Sequence, residues 1–322
     1  MTQDRAFRLL SALALVLLAA PLSPAQVSFQ APVGLTGETV TNPTSLQFGP
    51  DGRLYVSETG GPDHVGGDIH VYEIQRTDVD SNGIGEYAVT STEIIDLVKL
   101  YTPNHDDDGT PNPTQERQIT GILVVGTPDN PVLYVSSSDW RIGAGSTGGD
   151  VNLDTNSGIL HRLTWVGTGR DDPNGYWDKV DLVRGLPRSE ENHSVNGMQL
   201  SPDGTTMYLT VGGFTNAGAP SNNFTFITEY AYAAVVVAID LPALDAMPLQ
   251  TDASLYSGDG YVYQWVYDLP TLDDPTRANV NGITDPSDPG YLNGFTEAND
   301  PFGGNDGLNQ AKIDPVNHPG NP

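Results

Sequence analysis

The chain contains no cysteine, so no disulfide staples it and no thiol can act as nucleophile or metal ligand. Positive charge is scarce: 14 Lys and Arg stand against 41 Asp and Glu, a formal net charge of −27. A phosphate backbone needs a basic surface, which excludes nucleic acid as a partner. Gly-x-Gly-x-x-Gly, Walker and Gly-x-Ser-x-Gly patterns are all missing. The glycine-rich stretch through Gly143, Gly145 and Gly148-Gly149-Asp150 leads into no helix start that could hold a phosphate. Long apolar runs are absent with one exception, Leu9–Ala20, which follows Arg5 and Arg8 and precedes Pro21-Leu22-Ser23-Pro24-Ala25. A basic start, an apolar stretch too short for a bilayer and small residues predict a secretory signal peptide over residues 1–25. The expected product, residues 26–322, is exported to the periplasm or the exterior and has no membrane span.

What the chain does have is repetition. Ser45–Glu58 (SLQFGPDGRLYVSE), Gly121–Asp139 (GILVVGTPDNPVLYVSSSD) and Gly197–Gly213 (GMQLSPDGTTMYLTVGG) share one pattern. Each is an alternating apolar run, a Pro-Asp-Gly or Pro-Asp-Asn turn and a second run around a tyrosine. Alternation with period two is the signature of a half-buried strand. Pro presets φ at the turn, and Gly or Asn two residues on is expected to supply φ > 0, so each copy reads as a β-hairpin. The turn prolines, Pro50, Pro128 and Pro202, are spaced by 78 and 74 residues, the scale of a repeated multi-strand unit.

A third strand is expected after each hairpin, at Gly67–Ile74, Ser157–Trp165 and Ala233–Leu241, and a fourth at Glu93–Leu100, Trp177–Leu186 and Tyr261–Leu269. Four antiparallel strands per repeat make the blade of a β-propeller. The expected fold is therefore all-β, with blades over about 43–102, 118–187 and 195–270 and an irregular stretch over 271–322. A β-sandwich built from the same hairpins is the alternative. Propellers close with about four to eight blades, so three blades predict either a piece of a longer protein or completion by a partner. We expect the former; the oligomeric state is left open.

Among acidic stretches, Asp78-Val79-Asp80-Ser81-Asn82-Gly83-Ile84-Gly85-Glu86 has the Asp-x-Asp-x-Asn-Gly spacing that can wrap a Ca²⁺. Asp78, Asp80, Asn82 and Glu86 are the candidate ligands. Position twelve of the loop is Val89 rather than Glu, and no helices flank it, so an acidic turn is the competing reading. Tyr261, Tyr263, Trp265 and Tyr267 alternate and so share one face of a strand, expected to pack between blades.

The stretch Arg184–Asn223, RGLPRSEENHSVNGMQLSPDGTTMYLTVGGFTNAGAPSNN, resembles the glucose/sorbosone dehydrogenase family of six-bladed propellers that use pyrroloquinoline quinone (PQQ). That family sets a His just before a Gly-containing strand, then a Pro-Asp-Gly turn and a tyrosine-containing strand. The likeness spans the three blades, and His193 takes the matching place. It implies that His193 removes a proton from a sugar hydroxyl while hydride passes to PQQ, a task suited to a group titrating near neutrality. Gln118, in Gln118-Ile119-Thr120-Gly121, resembles a cofactor-contacting Gln. Where the family carries Gly-Asp after the tyrosine strand, this chain reads Val211-Gly212-Gly213-Phe214, with no carboxylate. The resemblance implies an exported sugar dehydrogenase. The alternative is a non-catalytic extracellular propeller that binds carbohydrate or surface partners, with His193 as a turn residue.

Overall fold

The computed structural model describes residues 40–60, 66–77, 86–106, 111–112, 117–141, 154, 156–189, 193–213, 232–256 and 258–269. The signal segment and residues 271–322 lie outside them. The described chain is all-β, with two short helical turns. Its first sheet is a meander of β1 (Pro43–Phe48), β2 (Leu54–Glu58), β3 (Ile69–Thr77) and β4 (Glu86–Ile95), hydrogen-bonded in that order and all antiparallel. One helical turn, α1 (Leu97–Leu100), and a two-residue bridge between β5 (Asn104–His105) and β6 (Pro111–Asn112) follow. The second meander is β7 (Arg117–Gly126), β8 (Pro131–Asp139), β9 (Gly158–Val166) and β10 (Tyr176–Leu186). The third has three strands, β11 (Val195–Leu200), β12 (Thr206–Val211) and β13 (Val235–Asp240). After it come α2 (Leu241–Asp245), capped by the Asp240 carboxylate accepting from the Ala243 N–H, then β14 (Gln250–Asp252) and β15 (Tyr263–Asp268).

The three hairpins form where the alternation places them. Gly52 and Gly204 take the positive φ of the first and third turns, at 77° and 74°. In the second, Asn130 does not; Gly126 carries the positive φ of 92° instead. The chain turns earlier there, and Thr127 and Asn130 exchange both backbone hydrogen bonds.

Two expected fourth strands are corrected. β4 starts at Glu86 and stops at Ile95, and Leu97–Leu100 coils. That turn buries Val98 and sends Lys99 back to Asp68 at 2.7 Å, a division of faces that an extended strand would not give. Tyr261–Leu269 does form a strand, but not in the third sheet: β15 runs parallel to β10 in the second, with β14 antiparallel beyond it at the edge. Its partner chemistry explains the choice. Tyr263 Oη donates to Asp181 Oδ2 at 2.8 Å, and Arg184 pairs with Asp268 at 2.6 Å while covering the Trp265 ring at 4.3 Å.

The second sheet has both faces covered. One packs Ile119, Ile122, Leu133, Val135 and Leu163 against Tyr55, Ile69, Val71 and Ile95 of the first sheet. The other packs Tyr134, Leu160 and Leu182 against Val195, Met207, Leu209 and Val211 of the third. Each such side chain contributes about 1.5–3 kcal/mol when fully buried. The leading strands β1, β7 and β11 lie side by side and are bridged by a repeated bond. Thr44 Oγ1 donates to Ile119 O at 2.7 Å, and Thr120 Oγ1 donates to Val195 O, each across 75 residues. The Gln47 amide clasps the Val124 N–H and carbonyl, both at 2.9 Å.

This approach needs Gly121. A Cβ there would sit 2.5 Å from Asn196 O and 2.9 Å from Asn196 C, both backbone and unable to swing away. Gly121→Ala is expected to push β7 off β11 and cost about 1–3 kcal/mol, read as a lower urea midpoint; a midpoint within error of wild type would contradict the packing.

Candidate functional site

His193 lies two residues before β11, half-buried. Its Nδ1 is 2.6 Å from Gly213 O at the exit of β12. A carbonyl only accepts, so Nδ1 carries a proton, and in the neutral ring the lone pair is on Nε2. Gly212 makes this contact possible: a Cβ on it would fall 2.9 Å from His193 Cβ and 3.2 Å from Ser194 O. The backbone is held as firmly. His193 N donates to Ser189 Oγ at 3.0 Å, and His193 O accepts from Ser189 N at 2.9 Å and from Arg188 Nη1 at 3.3 Å. Arg188, fully buried, also reaches Asp139 O at 3.1 Å, Arg141 O at 3.0 Å and Ser189 O. One guanidinium thus ties the His193 loop to the exit of β8.

Gln118 comes close to this position but not to an equivalent one. Since Ile119 and Val195 accept the same threonine bond, the residue matching His193 in the second sheet is Arg117, and Gln118 matches Ser194. The two touch: Gln118 Nε2 is 3.3 Å from Ser194 Oγ. Gln118 is 8 % exposed, so its amide faces inward along the strand junction.

The sequence reading missed a second polar constellation, sealed inside the second sheet. Asp181 Oδ1 lies 2.6 Å from His161 Nδ1, and His161 Nε2 lies 2.6 Å from Ser137 Oγ. The Asp181 carboxylate accepts from Nδ1–H, and because burial keeps the ring neutral the Ser137 hydroxyl donates to Nε2. Ser137 Oγ accepts in turn from Arg117 Nη2 at 3.0 Å, and Arg117 Nη1 reaches Asn104 Oδ1 at 2.6 Å. Lys179 Nζ meets Asp181 Oδ1 at 2.8 Å and Tyr101 O at 2.9 Å. The order Ser-His-Asp is that of a hydrolase triad, yet all three residues are 0 % exposed and no substrate can reach Ser137. The line holds the sheet together. No local motif could have announced it, because its members come from three strands; the one sign was a histidine in phase with Ile159, Leu163 and Trp165 on the apolar face of Gly158–Val166.

Burial dominates the electrostatics. It lowers the His161 pKa to about 4, although the neighbouring Asp181 carboxylate pulls the other way. Burial alone would raise Asp181, but the Lys179 ammonium and His161 outweigh it and hold the carboxyl well below its usual range. Burial also lowers Lys179 and Arg117, with Asp181 and Asp139 the leading opposing charges respectively.

Of the candidate calcium ligands, Asp78, Asp80 and Asn82 lie outside the described residues. Glu86 opens β4, exposed, and is paired with Thr77 at the end of β3, which makes residues 78–85 the connection between those strands. Among the described residues no group of three or more His, Cys, Asp or Glu side chains could hold a metal ion, and no helix is long and apolar enough to cross a membrane.

No protein-family model matches this chain, and no curated protein matches it either. Among solved structures, the iodide structure of Trichoderma reesei Carbohydrate-Active Enzymes Family AA12 aligns at 18% identity with a TM-score of 0.38. The alignment covers 69% of this chain and 43% of that one, so this chain spans less than half of that protein's length. A likeness of this size assigns neither fold nor activity.

The His161 environment sets an acid response. Its folded pKa of about 4 lies below the ordinary 6.5, so between those values the unfolded chain binds the extra proton. Stability is therefore full above pH 6.5 and falls as pH drops toward 4, by about 3 kcal/mol from this group. Urea midpoints measured from pH 7 to pH 4 for wild type and His161→Gln should show this slope shrinking in the variant. Equal slopes would mean that His161 is already charged in the fold.

Proposed function

We propose that this chain is part of an exported quinoprotein-type sugar dehydrogenase, its three sheets being blades of a β-propeller and His193 the general base. The observation that carries the reading is the 2.6 Å contact of His193 Nδ1 with Gly213 O: Nδ1–H donates to the carbonyl, and in the neutral ring Nε2 is then the atom that can accept a proton from a sugar hydroxyl. Supporting it are the side-by-side leading strands and the face-to-face stacking of consecutive meanders, as expected of adjacent blades.

In the oxidation, the C1 hydroxyl of an aldose gives its proton to Nε2, the C1 hydrogen leaves as hydride, and the lactone remains. PQQ, when bound, supplies the hydride acceptor. The fit of the described residues to PQQ is incomplete. An imidazole and the Gln118 amide are present, but Arg141 is engaged by Asp139 and Asp106 and Arg188 by four carbonyls. Cations for the carboxylates of PQQ would have to come from elsewhere, so no step is built on its position.

The inward commitment of Gln118 to Ser194 favours a second reading: a propeller of the same ancestry that binds carbohydrate without oxidising it. Turnover decides. With aldose, PQQ and a dye acceptor, His193→Ala should lower turnover by roughly 10²–10⁴-fold while PQQ binding, followed by absorbance, changes little. Undiminished turnover ends the role of His193, and no turnover in wild type with retained sugar binding selects the second reading.

We also propose Ca²⁺ in the β3–β4 connection, held by Asp78, Asp80, Asn82 and Glu86. An ion that binds only the folded state raises its melting temperature by mass action. Calorimetry should show a higher transition with Ca²⁺ than with chelator, and Asp80→Asn should remove most of the difference; identical transitions would leave only an acidic turn.

A further inference from the structure

A cleft of about 300 Å³ opens between the segment that follows α1 and the turn between β14 and β15. Tyr101, Thr102 and Asn104 line it on one side, Tyr256 and Asp259 on the other. None of these residues contacts His193, so the site stands independently of the chemistry proposed there.

Its aromatic corner is preassembled. The Tyr101 and Tyr261 rings stack at 3.8 Å and 10°, and Tyr256 meets both edge-on at 5.4 and 5.5 Å. Below them, the Tyr101 carbonyl is pinned by Lys179 and the Asn104 side chain by Arg117, so the cleft wall hangs from the buried network of the second sheet. Against this order, Thr102 is anomalous: it is 3 % exposed, yet its hydroxyl has no hydrogen-bond partner. The Tyr261 hydroxyl beside the corner is buried and unpartnered as well. Buried polar groups are nearly always satisfied, and one that is not calls for an occupant.

The charges narrow the chemistry of that occupant. Lys99, the cation at the rim, is neutralised by Asp68 at 2.7 Å, and Asp259 is an exposed carboxylate already accepting from Tyr261 N at 2.8 Å. An anion finds no free cation among the described lining residues. A simple alkylammonium could use the rings and donate to the Thr102 oxygen, but it has no acceptor for the proton of a hydroxyl. We infer that the cleft binds a small neutral polyhydroxylated molecule, a polyol or a single sugar ring, whose C–H face lies against Tyr256 and whose hydroxyl groups satisfy Thr102. Volume agrees, since small-molecule sites begin at about 300 Å³.

The test is titration calorimetry with D-glucose and with glycerol as probes, on the His193→Ala protein, so that aldose turnover is removed. Saturable binding of at least one probe is expected. Thr102→Val, which keeps the shape and removes the hydroxyl, should weaken it about five- to tenfold, and Tyr256→Ala should abolish it. Tyr256→Phe, which keeps the ring, should bind as the parent does and guards against loss of fold. Absence of saturable heat with both probes, or unchanged affinity in Thr102→Val, overturns the proposal. So does tighter binding of glucosamine or glucuronate than of glucose. Retained turnover by wild type in any of these cases would leave the His193 reading intact.

Discussion

The charge on Asp181 has no access to water, and much of the second sheet is arranged around keeping it. Lys179 two residues back on β10 neutralises it, His161 from β9 donates to one oxygen, and Tyr263 from β15 donates to the other. Removing one partner of a buried pair costs about 3–5 kcal/mol, because the remaining charge stays buried, whereas replacing the whole set by apolar residues is often neutral. The network therefore adds little net stability. What it supplies is specificity: β15 leaves the third meander and lies parallel to β10 because Asp181 and Arg184 offer Tyr263 and Asp268 partners that the edge of β13 does not. The same charges reach outward through Tyr101 and Asn104, so α1 and the loop after it take their place from the interior.

Around that polar centre the apolar packing is ordinary, and its distribution follows from strand phase. Inward residues of β8 and β9 pass from Ser137 and His161 at one end to Leu133 and Trp165 at the other. There Trp165 and Trp177 meet edge-on at 5.5 Å, with Arg170 over both rings at 4.3 and 5.1 Å. One sheet face thus holds an ionic end, tied to the segment after α1 through Tyr101 and Asn104, and an aromatic end, tied to the first sheet through Arg170 on Asp51 and Glu93. A slip of one residue would exchange every buried side chain for its solvent-facing neighbour.

The hairpins were legible because their signals are local: period-two alternation and a Pro-Asp-Gly corner specify both strands and the turn between them. Strand partnership was not. The alternation of Tyr261, Tyr263, Trp265 and Tyr267 says only that the segment is extended, and its neighbour is chosen by groups more than 80 residues away. The Ser137-His161-Asp181 line was hidden for the same reason. His193 could be singled out because it precedes a recognisable hairpin, but its partner is the Gly213 carbonyl, and a backbone atom leaves no mark in a residue pattern. Gln118 sits one position off from His193, as the counts show: Gly121 follows Gln118 by three residues, and Gly197 follows His193 by four. The register shift before Gly121 recurs in β11, between Val195 and Met198, so the strands match and the offset lies in the residue chosen.

The carbonyl at Gly213 bears directly on how His193 can work. A carboxylate partner would fix the Nδ1–H tautomer and also stabilise the imidazolium formed when Nε2 takes a proton. A carbonyl does the first as well and the second less, since it brings a dipole where the carboxylate brings a full charge. Orientation here comes instead from rigidity: Arg188 and Ser189 hold the His193 backbone from two sides, and Gly212 lets the ring sit against the strand exit. A base built this way is well aimed but weakly driven. Efficient turnover would therefore require the acceptor to draw hydride strongly, so that proton removal need not lead the reaction. A binding protein would need only the alignment. The choice between oxidation and recognition thus rests on what stands opposite Nε2, and not on how His193 itself is held.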